Sequence, residues 1–119
     1  MLAVGPATKV TIYLNQDTGS PQGFLRDEIL TFLRQKEVGI GGATVLHAFA
    51  GYGSHGQLHK ADEHDVAGLH LPVVIFFVEA QEKVESILPA LLDLVTDGMI
   101  EAHPTQILKR VASKERVIS

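Results

Sequence analysis

From Lys9 to Leu14 apolar and polar positions alternate, with Val10, Ile12 and Leu14 on one side and Lys9, Thr11 and Tyr13 on the other. That period of two predicts a half-buried strand. A polar turn follows at Asn15 to Gly19. Ser20-Pro21 then reads as a helix N-cap followed by proline at the first helical position. Leu25, Ile29, Phe32 and Leu33 recur at helical spacing through about Lys36, and Gly39, Gly41 and Gly42 end that helix. Ala43 to Ala50 predicts a second strand, and Leu71 to Glu79 (LPVVIFFVE) a third. Between them, Gln57 to Gly68 is polar without a period and reads as a surface loop. Gln81 to Leu94 predicts a second helix, with one stripe of Val84, Ile87, Leu88, Leu91, Leu92 and Val95. Pro89 lies inside that helix and removes its bond to the Glu85 carbonyl, so a kink is expected. Thr96-Asp97-Gly98 is a turn. Met99 to His103 and Thr105 to Val111 supply a last strand interrupted by Pro104.

The resulting order, βαββαβ, predicts an α+β chain of ferredoxin-like type, an antiparallel sheet with two helices on one face. The third strand adds a deduction about assembly. Val73 to Val78 is apolar without a break, so both faces of that strand call for burial. Two helices cover one face, and a second subunit is the simplest cover for the other.

Composition narrows the function. The 119 residues fit a single domain, 1–119, and 45% hydrophobic with 20% charged residues is ordinary for a globular protein. The net charge of −4 weighs against a nucleic-acid partner. There are no cysteines, which excludes disulfides, thiolate zinc sites and cysteine nucleophiles. The N-terminus carries no signal-peptide pattern, and the longest apolar run, Val73 to Val78, is far too short for a membrane helix. A cytoplasmic protein that is not membrane-embedded is expected.

Candidate chemistry gathers in Ala48 to His59, AFAGYGSHGQLH. Gly51-Tyr52-Gly53-Ser54-His55-Gly56 matches G-x-G-x-x-G literally, and Glu79 stands where a ribose-binding acid would. A dinucleotide fold is disfavoured, because no amphipathic helix follows Gly56 and the sheet is expected to be antiparallel. A strand-end turn or bulge and a glycine-rich anion loop remain as readings. His55, His59, His64 and His70 lie among Asp62, Glu63 and Asp65, donors suited to zinc, nickel or copper, although the spacing defines no closed site. The other reading is a set of surface histidines. No nucleophile or acid–base pair stands out, so no enzyme activity is expected.

GGATVL (Gly41 to Leu46), AGYGSHGQLHK (Ala50 to Lys60), LPVVIFFVE and EKVESILPALLDLVTDGMI (Glu82 to Ile100) resemble the DUF190 family, and the likeness runs from about Lys9 to Ile107. The resemblance implies a fold related to the PII signalling proteins and a homotrimer with inward-facing sheets. It also implies binding of adenine nucleotides between subunits and a loop, here Gly53 to His70, that reports ligand state to a partner such as a membrane transporter or channel. Thr96-Asp97-Gly98 stands where PII proteins carry a longer phosphate loop with a lysine, a departure that weighs against ATP and leaves AMP or another nucleotide. The candidate ligand contacts are therefore Gly51, Gly53, Ser54, His55 and Gly56 with Thr96, Asp97 and Gly98, and Lys109 or Arg110 for phosphate. The alternative is a divalent-metal trimer, resembling cation-tolerance proteins, that binds through His55, His59 and His64.

Overall fold

A computed structural model of the chain describes residues 4–52, 58–60 and 71–111. Ten elements follow in order: β1 Gly5–Asn15, β2 Gly19–Ser20, β3 Gly23–Phe24, α1 Leu25–Arg34, β4 Thr44–His47, β5 Ala50–Gly51, β6 His59–Lys60, β7 Pro72–Ala80, α2 Gln81–Leu94 and β8 Met99–Ile107. The main sheet has the order β4-β7-β1-β8, all antiparallel, as a ferredoxin-like arrangement requires. Two further short hairpins, β2–β3 and β5–β6, flank it.

The alternation read in β1 holds. Val10 and Ile12 are fully buried and Leu14 nearly so, packed with Val73, Ile75 and Phe77 of β7 beneath Leu25, Ile29 and Leu33 of α1 and Val84, Ile87 and Leu91 of α2. The register sets Val10 opposite Phe77 and Ile12 opposite Ile75, so both strands send the same rows into the core. The remaining β7 residues, Val74, Phe76 and Val78, point to the other face and are half-buried. Leu46 lies beside Val74 on β4 and Met99 lies across β1 from it, opposite Tyr13 on β8, and both stay exposed. The helices thus bury one side of the apolar strand, and its other side remains partly open in the single chain.

Four local readings change. Ser20-Pro21 does not start a helix. It opens the β2–β3 turn, in which Ser20 pairs with Gly23, and α1 begins at Leu25 behind Phe24. Proline suits the second position of such a turn, and Gly23 takes a φ of +137° that side chains disfavour. The second strand breaks after His47 and resumes as β5, which pairs with β6, so part of the predicted surface loop is strand. Leu92 leaves the stripe of α2 and is 54% exposed, while Val84, Ile87 and Leu91 keep the inward line. The last strand is continuous through Pro104. Among the described residues it is an edge strand, paired with β1 on one side, where a missing N–H is tolerated. Within α2, Pro89 is exposed, and the helix continues past it to Leu94.

Candidate functional site

The end of β1 and the starts of β7 and β8 meet at one end of the sheet. There Tyr13, Leu14, Asn15, Thr18, Tyr52, Pro72, Asp97, Gly98 and Met99 line a cleft of about 540 Å³. Two glycines make this meeting sterically feasible. Gly98 has a φ of +127°, and a Cβ there would collide with the Tyr13 carbonyl oxygen. A Cβ on Gly51 would lie 2.7 Å from Cγ of Pro72. Gly51 therefore serves a close approach between β5 and the start of β7, where the Ala48 N–H also donates to the Pro72 carbonyl at 3.1 Å. Beyond Gly51, Tyr52 is 71% exposed.

The sequence-predicted contacts divide among three places. Gly51, Asp97 and Gly98 gather at the cleft just described. Thr96 turns away and lines a separate hollow of about 770 Å³ between the β2–β3 turn and the two helices, with Asp27, Glu28 and Asp93 at its walls. Lys109 and Arg110 follow β8 at the opposite end of the sheet. Arg110 bonds to Glu79, which stands seven residues along β7 from Pro72 and hence about 23 Å from the cleft. One chain does not bring these basic residues to the cleft. Gly53, Ser54, His55, Gly56 and His64 lie outside the described residues, and His59 enters through its backbone pairing with Gly51. Among the described residues no group of three His, Asp or Glu comes together to hold a metal ion.

The second polar constellation surrounds Glu79. Arg110 donates through Nη1 to Oε1 at 3.0 Å and through Nη2 to Oε2 at 2.8 Å, and the Gly41 N–H donates to Oε2 at 2.8 Å. The Arg110 bonds, aided by Gly41, hold the Glu79 carboxyl below its ordinary range against the opposing effect of burial. This arrangement also disposes of the dinucleotide reading, since Glu79 is engaged with Arg110 at the far end of β7 in an antiparallel sheet. On the open face of the sheet, the Tyr13 hydroxyl donates to Glu101 Oε2, and that bond pushes the Tyr13 phenol above its ordinary value.

Sequence reasoning named Tyr52 only as a member of the glycine motif, and read Asn15 and Thr18 only as turn residues. An aromatic between two glycines at a strand end is the signal that could have promoted Tyr52, because no neighbouring side chain is there to cover it. The roles of Gly41 and Glu79 had no local signal, since their partner Arg110 is 31 residues beyond Glu79.

Among the described residues no helix is long and apolar enough to cross a membrane. Solved structures similar to this chain include PII-like proteins. CPII, a nitrogen regulatory PII-like protein from Thiomonas intermedia K12 solved with ADP, AMP and bicarbonate, aligns at 18% identity, covering 92% of this chain and 100% of its own, with a TM-score of 0.61. The same protein with ADP, AMP and acetate aligns at 17% identity over 91% of this chain and 94% of its own, with a TM-score of 0.59. A PII-like signalling protein from Thermus thermophilus aligns at 16% identity over 90% of this chain and 94% of its own, with a TM-score of 0.63. These likenesses show the fold. The family model of DUF190, described as an uncharacterized ACR, matches residues 7–107, and with nearly the whole folded chain inside that match the protein belongs to the DUF190 family.

Proposed function

We propose that this chain is a PII-like regulatory protein that binds an adenine nucleotide in clefts between the subunits of a homotrimer and reports its ligand state to a membrane transporter or channel. The observation that carries the reading is the cleft at the β1, β7 and β8 ends, where an exposed aromatic ring, Tyr52, shares one hollow with the Asp97-Gly98 turn. In this reading Tyr52 stacks on the adenine, and the Asp97 carboxylate accepts from ribose hydroxyls. Gly53, Ser54, His55 and Gly56, outside the described residues, are assigned to the ligand as donors of backbone N–H groups and an imidazole. The phosphate charge is met by Lys109 or Arg110 of a neighbouring subunit, because the same chain holds them at the far end of its sheet. The half-buried row Val74, Phe76 and Val78, with Leu46 exposed beside it on β4 and Met99 exposed on the same face of β8, supports subunits that close over this face. The ADP and AMP in the CPII structures support the choice of nucleotide.

The test is calorimetry with AMP, ADP and ATP, with and without Mg²⁺, on protein whose mass in solution has been measured. A trimer that binds one of them is expected. Stacking of a base on an aromatic ring contributes about 1–3 kcal/mol, so Tyr52→Ala should weaken binding by roughly 5- to 150-fold. Unchanged affinity in Tyr52→Ala would remove the cleft from the reading. No binding of any nucleotide to wild type would remove the nucleotide.

A further inference from the structure

The only basic group bonded to Glu79 among the described residues is one that the nucleotide reading requires elsewhere. Arg110 presents its planar fork to Glu79 through two bonds, at 3.0 and 2.8 Å, and the Glu79 side chain is 8% exposed against 24% for Arg110. The Gly41 N–H completes the cradle from the loop between α1 and β4. That loop is built around the pair. A Cβ on Gly41 would sit 2.6 Å from Arg110 Nη2, so a side chain there would force the guanidinium to shift from its present seat. Lys83 Nζ donates to the Gly39 carbonyl at 3.3 Å and ties the same loop to α2. The Gly41-Gly42 pair, read from sequence as the end of a helix, thus has one member that makes room for Arg110.

A guanidinium fork recognises carboxylate and phosphate by the same two parallel bonds. It cannot serve both at once. We propose that Glu79 is an internal stand-in for the phosphate of the ligand: it holds Arg110 while the site is empty, and a bound nucleotide takes the guanidinium from it. This rests on the reading above, in which Arg110 serves a nucleotide. Glu79 then determines specificity. A ligand with a phosphate competes for Arg110, and one without a phosphate leaves the pair closed. The exchange also links ligand state to shape, because the same ion pair clamps the segment after β8 to the Gly39–Gly42 loop.

The experiment compares ADP and adenosine on wild type, Glu79→Gln, Gly41→Ala, Arg110→Gln and the double variant Glu79→Gln with Arg110→Gln, with thermal melts of each. Glu79→Gln keeps an acceptor for the Gly41 N–H but removes the competing charge. Gly41→Ala displaces the guanidinium while leaving Glu79 intact, so it reads the same event if Glu79→Gln does not fold. A bond to a charged group is the competition removed, and both variants should tighten ADP about tenfold, with adenosine unchanged within about twofold. Arg110→Gln should weaken ADP, and the double variant should show no gain over it. If ADP binds wild type and neither Glu79→Gln nor Gly41→Ala tightens it, the stand-in role is overturned and the pair is a structural clasp. If no protein in the set binds ADP or adenosine, the nucleotide reading falls, and this inference with it.

Discussion

Replacing Gly98 by alanine tests the steric logic of the cleft. Gly98 has a φ of +127°, a conformation nearly reserved for glycine, and its position faces the Tyr13 carbonyl oxygen too closely for a Cβ. Holding alanine in that backbone state costs about 1–3 kcal/mol. The collision can be relieved only by moving the chain at the start of β8 away from β1, where Met99 is paired with Tyr13. Losing one ladder bond there adds about 0.5–1.5 kcal/mol. The expected total is about 2–4 kcal/mol, a large part of the roughly 5–15 kcal/mol that holds a domain together. At this chain length each kcal/mol shifts Tm by about 3–5 °C, so a fall of about 6–20 °C is expected. The assay is urea and thermal unfolding followed by circular dichroism at one fixed protein concentration, since assembly contributes to apparent stability. Gly42→Ala is the control. Gly42 has open space around its Cβ position and no positive φ, so alanine there should be neutral or slightly stabilising. If Gly98→Ala unfolds within about 0.5 kcal/mol of wild type, the turn relaxes freely and the steric account of the cleft is wrong.

Two further outcomes follow from particular contacts. Glu79 has its carboxyl held below the ordinary value of 4.5, chiefly by Arg110, so its pair stabilises the protein above that pH and loses its contribution as pH falls through the depressed value. The stability difference between wild type and Glu79→Gln should therefore be flat near neutrality and shrink in acid, and a difference that grows in acid would contradict the sign. Leu91 is fully buried and Leu92 is 54% exposed, so Leu91→Ala should cost about 2–5 kcal/mol and Leu92→Ala less than about 0.5 kcal/mol by chemical denaturation. Equal costs would mean that α2 is rotated on the sheet.

Periodicity along the chain determined the main architecture. The alternation of Val10, Ile12 and Leu14, the unbroken run Val73 to Val78 and the helical spacing of Ile29 and Leu33 each report on neighbours a few residues away, and a local pattern is enough to assign strand or helix. Gln81–Leu94 was legible to its ends for the same reason, as was the family, from motifs spread along the chain. Misreadings arose where one residue type serves two local structures. Ser20-Pro21 suits both a helix start and a turn, and the hairpin that Ser20 makes with Gly23 decided between them. Pro104 breaks a central strand but not an edge strand, and only the sheet order shows which β8 is.

The site was legible as a list and not as a place. Sequence alone brought the Gly51 segment and the Asp97-Gly98 turn to attention. The tertiary structure decided that they share an end of the sheet, that Tyr52 stands open between them, and that Thr96 belongs to a different hollow. It also decided that Arg110 is paired with Glu79 about 23 Å away along β7. The physical reason is sequence distance. A strand carries its two ends to opposite sides of the molecule, and whether residues tens of positions apart meet depends on the pairing and direction of strands, which no local pattern encodes.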